Sequence, residues 1–249
     1  MARLRSAGIV FADEEAALLV EDAKTPADLD AMVESRCTGR PLEHVLGWAA
    51  FAGLRVAVTE GVFVPRRRCE HLAHEAAALA GPGAVVVDLC CGTGAVGLYV
   101  AHAVPGIELH AVDVDPAACR CARDNLAGRG RVHQGDLFAP LPASLRERVD
   151  VLVANVPYVP TSQLPLLPAE ARVHESRLAL EGGADGLDVL RRLAGQTGQW
   201  LRRGGHLLVE TSAAQAREAL TVLASSGLVP RVVRSEELSA TVVHGQRPG

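Results

Sequence analysis

The chain of 249 residues contains a single lysine, Lys24, among its 25 basic residues, and only 3% of it is aromatic. With 29 acidic residues the formal net charge is −4. That balance excludes a protein that grips nucleic acid mainly by neutralising phosphates, though not one locally basic groove. The lysine deficit, set beside abundant alanine and arginine, reads as the codon bias of a GC-rich bacterium. Long apolar runs are missing too. The richest stretch, Ala76 to Gly106, is broken by Gly81, Pro82, Asp88, Gly92 and Gly94, short of the roughly 18 residues a membrane span needs. The apolar run Ala7–Ala12 after Arg3 and Arg5 is too short for a signal peptide and meets Asp13-Glu14-Glu15. The six cysteines (37, 69, 90, 91, 119 and 121) include no C-x-x-C pair, which argues against a zinc site and a disulfide framework. His71 and His74 are three apart but have no evident third ligand. These absences predict a reduced, cytoplasmic protein with no metal and no membrane anchor. At 49% hydrophobic and 22% charged, the chain has ample material for a packed core.

Periodicity divides the chain into three parts. Residues 1–47 read as a small helical module: Asp13 is expected to cap a first helix, and Thr25-Pro26 opens another with Asp28 three residues on. Leu29, Met32, Val33 and Cys37 form one stripe of that helix, and Pro41–Gly47 forms a third. Residues 48–67 read as a β-hairpin connector, with Phe51–Thr59 and Gly61–Pro65 turning at Glu60-Gly61. From 68 to 249 strand and helix signals alternate, the mark of a parallel sheet covered on both faces. The strands are expected at Ala84–Asp88, Ile107–Val112, around Val132, Val149–Ala154 and Gly205–Glu210. Val229–Val233 and Thr241–Val243 follow as an edge pair, and a helix spans Leu187–Trp200.

Three polar residues close three successive strands: Asp113, Asp136 and Asn155. In an open parallel sheet ligands bind beyond the carboxyl ends of the strands, where strand order reverses. Gly92-Thr93-Gly94-Ala95-Val96-Gly97 fits G-x-G-x-x-G after a strand, with Asp113 19 residues beyond Gly94. Alone this means a nucleoside-containing cofactor, and a nicotinamide dinucleotide fits as well as any other. Asp113 suits two ribose hydroxyls, and Asp136 an adenine amino group with Leu137 packed nearby. The fourth strand end separates the readings. Asn155-Val156-Pro157-Tyr158 supplies an amide, a fixed turn and an aromatic ring. Methyl transfer to a planar nitrogen needs these, and hydride transfer does not.

Together these segments resemble the HemK/PrmC family of S-adenosylmethionine-dependent protein-(glutamine-N5) methyltransferases. Asp88-Leu89-Cys90-Cys91-Gly92-Thr93-Gly94 resembles its D-L-G-x-G-T/S-G loop, Ala111-Val112-Asp113 its ribose-binding strand end, and Gly135-Asp136-Leu137-Phe138 its adenine-side segment. Asn155-Val156-Pro157-Tyr158 resembles its N-P-P-Y signature. Pro41–Gly47, Gly61–Arg66, Glu175–Leu180 and Gly182–Leu187 match further stretches in order, so the resemblance spans about residues 40–249. It departs at Val156, at Cys90 and Cys91, in the run Pro65-Arg66-Arg67-Arg68-Cys69-Glu70 where a base replaces an acid, and in a shorter N-terminal module. These departures mark a related branch and leave open whether its acceptor is a release factor.

The resemblance implies a class I methyltransferase: a Rossmann-like α/β fold with a seven-stranded, mostly parallel sheet, the small helical module and the hairpin. The cofactor, S-adenosylmethionine leaving as S-adenosylhomocysteine, is expected at Asp88, Cys90, Cys91, Gly92, Thr93, Gly94, Asp113, Asp136, Leu137 and Asn155. Asn155, Val156, Pro157 and Tyr158 are the expected catalytic residues. The acceptor is expected at Asn155, Pro157, Tyr158 and Arg66, and the partner implied is a protein such as the Gly-Gly-Gln loop of a class I release factor. Oδ1 of Asn155 and the carbonyl of Val156 are suited to accept the two hydrogens of an amide nitrogen, while Pro157 fixes the turn and Tyr158 packs on the planar group. Arg67 and Arg68 read as a solvated basic run, and Glu210 as a structural acid at a strand end. Three alternatives stay open on the residues alone: N-methylation of a small amide or amine, N-methylation of an adenine amino group, and a non-catalytic cofactor-binding adaptor.

Overall fold

The computed structural model describes residues 1–249. Its frame is a seven-stranded sheet in the order β5-β4-β3-β6-β7-β9-β8. The strands are β3 (Val85–Leu89), β4 (Glu108–Asp113), β5 (Arg131–Gln134), β6 (Val149–Ala154), β7 (Leu201–Thr211), β8 (Val229–Ser235) and β9 (Ala240–Gln246). The first five are parallel, and β9 runs antiparallel between β7 and β8. β3 is buried at all five positions, as a strand covered on both faces must be. The chain leaves β3 for β4 and β5 on one side and returns to β6 on the other, which opens a crevice beyond the carboxyl end of β3.

Helices α5 (Cys69–Leu79), α6 (Ala95–Ala103) and α7 (Pro116–Asn125) cover one face of the sheet, and α9 (Asp188–Thr197) and α10 (Ala216–Ser225) cover the other. Leu190 and Leu193 of α9 are 1% and 0% exposed, and each such side chain contributes about 2 kcal/mol by leaving water. Asp115 caps α7 by accepting from the Ala117 amide, with Pro116 at the first helical position.

The N-terminal residues fold as α1 (Ala2–Ser6), α2 (Ala12–Asp22), α3 (Pro26–Cys37) and α4 (Leu42–Leu46) around Leu4, Leu19 and Val33, against which the other members of the expected stripe pack. Thr25 caps α3 as its sequence predicts, accepting from the Asp28 amide. Asp13 does not cap α2. The helix starts at Ala12 after Phe11, so Asp13 lies in its first turn and pairs with Arg5. The helical residues reach the rest of the chain through buried Arg36, whose guanidinium pairs with Glu15 and with Glu170 of α8 (Ala169–His174).

The hairpin is displaced from its expected place. Its strands are β1 (Trp48–Phe51) and β2 (Leu54–Ala57), joined at Ala52-Gly53. Both turn residues have positive φ (47° and 79°), the geometry that matches strand twist in a two-residue connection. Glu60-Gly61 instead leads into a single bridge between Gly61 and Glu175. The terminal strands pair at one edge of the sheet as expected, with β8 outermost and β9, buried in six of its seven residues, between it and β7.

Candidate active site

A cavity of about 500 Å³ opens over the carboxyl ends of the parallel strands. One wall is the turn after β3. Cys90 and Gly92 sit at φ 55° and 54°, so the backbone curls away and leaves open space where a Gly92 side chain would project. Gly94 has a different task. At φ 77° it starts α6, and a Cβ there would stand 3.2–3.3 Å from Ala122 of α7 and from Leu126 just past its end; it does not line the cavity. Asp113 anchors this turn, accepting from the amides of Gly92 (2.8 Å) and Asp115 (2.9 Å), and each carboxylate oxygen keeps a second lone pair. Asp88 lies beneath the turn, bonded by the Gly97 amide at 2.9 Å. Burial, with the charge of Asp113 adding to it, lifts its carboxyl pKa to about 7. Burial likewise raises the thiol pKa of Cys90, followed by the effect of Asp113 and Asp88, so Cys90 stays protonated at neutral pH. Val114, 47% exposed, and Leu137 add apolar surface beside Asp136, which pairs with Arg192.

The opposite wall starts at the end of β6. Asn155 directs Nδ2 at the Sγ of Cys69, 3.3 Å away. The Cys69 thiol pKa is raised well above normal, by burial and then by the adjacent Glu210 carboxylate, so its proton stays on and its sulfur lone pair is available to Asn155. This leaves Asn155 Oδ1 with no protein partner, and the Val156 carbonyl accepts no hydrogen bond either. Tyr158 donates its hydroxyl to Glu210 Oε1 (3.3 Å), which also accepts from Arg68 Nε (2.9 Å). Burial and then the Glu210 charge raise the phenol pKa, so Tyr158 stays neutral.

The turn from Asn155 to Tyr158 is held from outside by residues 180–186. Val159 donates to Leu180, and Gly182 donates to Val159, each at 2.9 Å. A Cβ on Gly182 would lie 2.7 Å from the Pro157 carbonyl, and one on Gly186 2.2 Å from that of Tyr158. Gln215 Nε2 donates to the Tyr158 carbonyl at 2.9 Å. Only glycine fits at these two approaches.

The cavity thus brings together Asp88, Cys90, Cys91, Gly92, Thr93, Asp113, Asp136, Leu137 and all of Asn155–Tyr158. Of the residues singled out in the sequence, Gly94 and Arg66 stay outside it. Arg66 is bound to buried Glu175 at 2.5 Å, which also accepts from the Val64 amide at 3.2 Å. Arg68 and Glu210 pair beside Tyr158: the former is not a free solvated base and the latter is not only a strand-end acid. The paired glycines of Gly182–Leu187 were the available signal for the outer support. Nothing local in sequence announces the Arg68–Glu210 pair, whose members are 142 residues apart.

The model of the family described as methyltransferase small domain matches residues 69–185. A release factor glutamine methyltransferase of Mycolicibacterium smegmatis is 40% identical over 206 residues, covering 80% of this chain and 73% of that protein. The enzyme of the same name from Geobacter sulfurreducens is 35% identical over 199 residues, covering 79% and 69%. Among solved structures, a methyltransferase from Pyrococcus furiosus superposes with a TM-score of 0.60 at 13% identity, over 80% of this chain and 91% of that one.

Proposed function

The chain belongs to the release factor glutamine methyltransferase family and is an S-adenosylmethionine-dependent methyltransferase, and on that premise we propose that it methylates the side-chain amide nitrogen of a glutamine in a protein acceptor, the Gly-Gly-Gln loop of a class I release factor. Membership in this family closes the hydride-transfer alternative that the glycine pattern alone leaves open. Residues 1–47 are read as the acceptor-recognition module, 48–67 as the connector and 68–249 as the catalytic domain, acting in the cytoplasm. No helix of the protein is long and apolar enough to cross a membrane.

The cavity's chemistry suits the cofactor. Free lone pairs on Asp113 fit ribose hydroxyls, Asp136 fits an exocyclic amino group, and Val114 with Leu137 offers apolar surface for a purine. The open side of Gly92 leaves room for the methionyl chain that extends from the ribose away from the purine. When bound, S-adenosylmethionine supplies an electrophilic methyl group on a sulfonium centre.

This chain's own residues then do the positioning. An amide nitrogen is a poor nucleophile because its lone pair is delocalised into the carbonyl. Two oxygens that accept its N–H hydrogens hold it in line and offset the positive charge it gains. Asn155 Oδ1 and the Val156 carbonyl are two such acceptors, unpartnered at one edge of one cavity. That observation carries the proposal. The Val156 carbonyl is a backbone group, so valine in place of the family's first proline leaves it in position. No general base is needed, since the nitrogen sheds its proton after transfer. Incubation of the protein with a class I release factor and S-adenosylmethionine, read by fragment mass spectrometry, is expected to add one methyl to the loop glutamine. An unmodified factor would sink the acceptor assignment.

A further inference from the structure

Arg68 stands at the mouth of the cavity on the acceptor wall and is fixed only at its base. Nε donates to Glu210 Oε1, whose side chain is 2% exposed, and the guanidinium carbon stands 5.7 Å from the centre of the Tyr158 ring. Neither terminal nitrogen of Arg68 has a hydrogen-bond partner, and the side chain is 47% exposed. The neighbouring cations differ: Arg66, Arg177 and Arg192 each have a terminal nitrogen committed to Glu175, Glu181 and Asp136. A planar fork of N–H donors, clamped behind and open in front, matches the two oxygens of a carboxylate. Its anchor is too deep to follow a ligand out, so the fork is presented in one orientation.

We propose that Arg68 is a specificity-determining residue that receives a carboxylate side chain of the acceptor protein close to the methylated glutamine. The inference rests on the reading of a protein glutamine as the acceptor. The carboxylate of the cofactor itself is the other source of the same chemistry. Arg68 lies over Tyr158, on the side of the turn that ends β6, and half of its side chain opens to the solvent from which a protein arrives.

The test uses short peptides centred on Gly-Gly-Gln, with glutamate or its neutral isostere glutamine just after the central glutamine or just before the glycines. Calorimetry on the protein saturated with S-adenosylhomocysteine is expected to show one glutamate peptide bound roughly three- to fivefold tighter than its isostere, the scale of a partly exposed charge contact. Arg68→Gln is expected to abolish that preference while leaving cofactor Kd within about twofold, and Arg68→Lys to restore part of it. Equal binding of the peptides, no binding, or a preference that survives Arg68→Gln overturns the proposal. So does a cofactor Kd weakened about tenfold with the preference intact, which gives Arg68 to the cofactor. Mass spectrometry of the same mixtures separates the two readings. Preference without methylation keeps Arg68 and defeats the glutamine assignment; methylation without preference does the reverse.

Discussion

The two walls of the cavity meet at Asn155 but are built in different ways. The wall proposed for the cofactor is local: a turn with positive φ at Cys90, Gly92 and Gly94 is pinned by Asp113 from the next strand, 21 residues on. The wall proposed for the acceptor is assembled from afar. Arg68 reaches Glu210 across 142 residues, Asn155 reaches Cys69 across 86, and Tyr158 reaches Glu210 across 52. A local device is tied to the sheet and persists wherever the strands do. A device of long-range side-chain pairs can change its selectivity by single substitutions while the fold stays put. On the proposed assignment of the two walls, acceptor choice rather than cofactor choice is the adjustable part of this protein.

The largest expected effects come from striking each wall by itself. Asp113→Ala removes the anchor of the Gly92 turn and the lone pairs offered to a ribose. Two charged hydrogen bonds at about 1.5 kcal/mol each give a rise in cofactor Kd of about 100-fold by calorimetry. Gly186→Ala, by contrast, forces a Cβ against the Tyr158 carbonyl at a residue with φ 79°. It is expected to cut methyl transfer by about 100-fold with cofactor Kd held within about threefold, because an acceptor turn displaced by a fraction of an ångström loses its alignment. If Gly186→Ala weakened both equally, the walls would not be independent.

That asymmetry also explains how much was legible in the sequence. The strand ends Asp113, Asp136 and Asn155 could be placed because short apolar, β-branched runs bounded by polar and glycine residues locate them, and the sheet rule says what collects there. Gly94 was visible as a special residue, but whether its freedom serves the ligand or the packing of α6 on α7 depends on Leu126, which no local pattern connects to it. The hairpin was misplaced because Ala52-Gly53 is a weak turn signal beside Glu60-Gly61, and tertiary pairing decided for the former. Arg66 and Arg68 look alike in the run Arg66-Arg67-Arg68. Only the fold sends one to Glu175 and the other to Glu210.

Smaller effects separate the site from its supports. Arg66→Met leaves Glu175, fully buried in its side chain, without its cation. Removing one partner of such a pair is expected to cost about 2 kcal/mol once the exposed arginine is discounted, a fall of about 4–8 °C in Tm for a chain of this size. Cofactor Kd should not move beyond twofold.

The smallest effect lies at the far strand, away from both walls. Burial, then Arg231, then His206 depress the His244 pKa to about 4, and Arg231 Nε donates to its Nδ1 at 2.8 Å, which requires the neutral ring. A histidine held below its unfolded pKa of about 6.5 contributes stability that is complete above that pH and is lost as pH falls toward 4. The Tm of His244→Asn is therefore expected to drop less than that of the native chain between pH 6.5 and 4. Equal slopes would show that this ring does not titrate with unfolding.

The central claim is that one cavity binds the cofactor on one wall and aligns an amide nitrogen on the other, with Asn155 serving the second task above all. Asn155→Ala tests it most directly, through cofactor Kd by calorimetry and single-turnover methyl transfer to the release factor followed on the same preparation. The account predicts transfer slower by about 10²–10³, the scale of losing one preorganised partner, with Kd within about tenfold of the native chain. Transfer at the native rate, or a Kd that collapses in step with the rate, would contradict it.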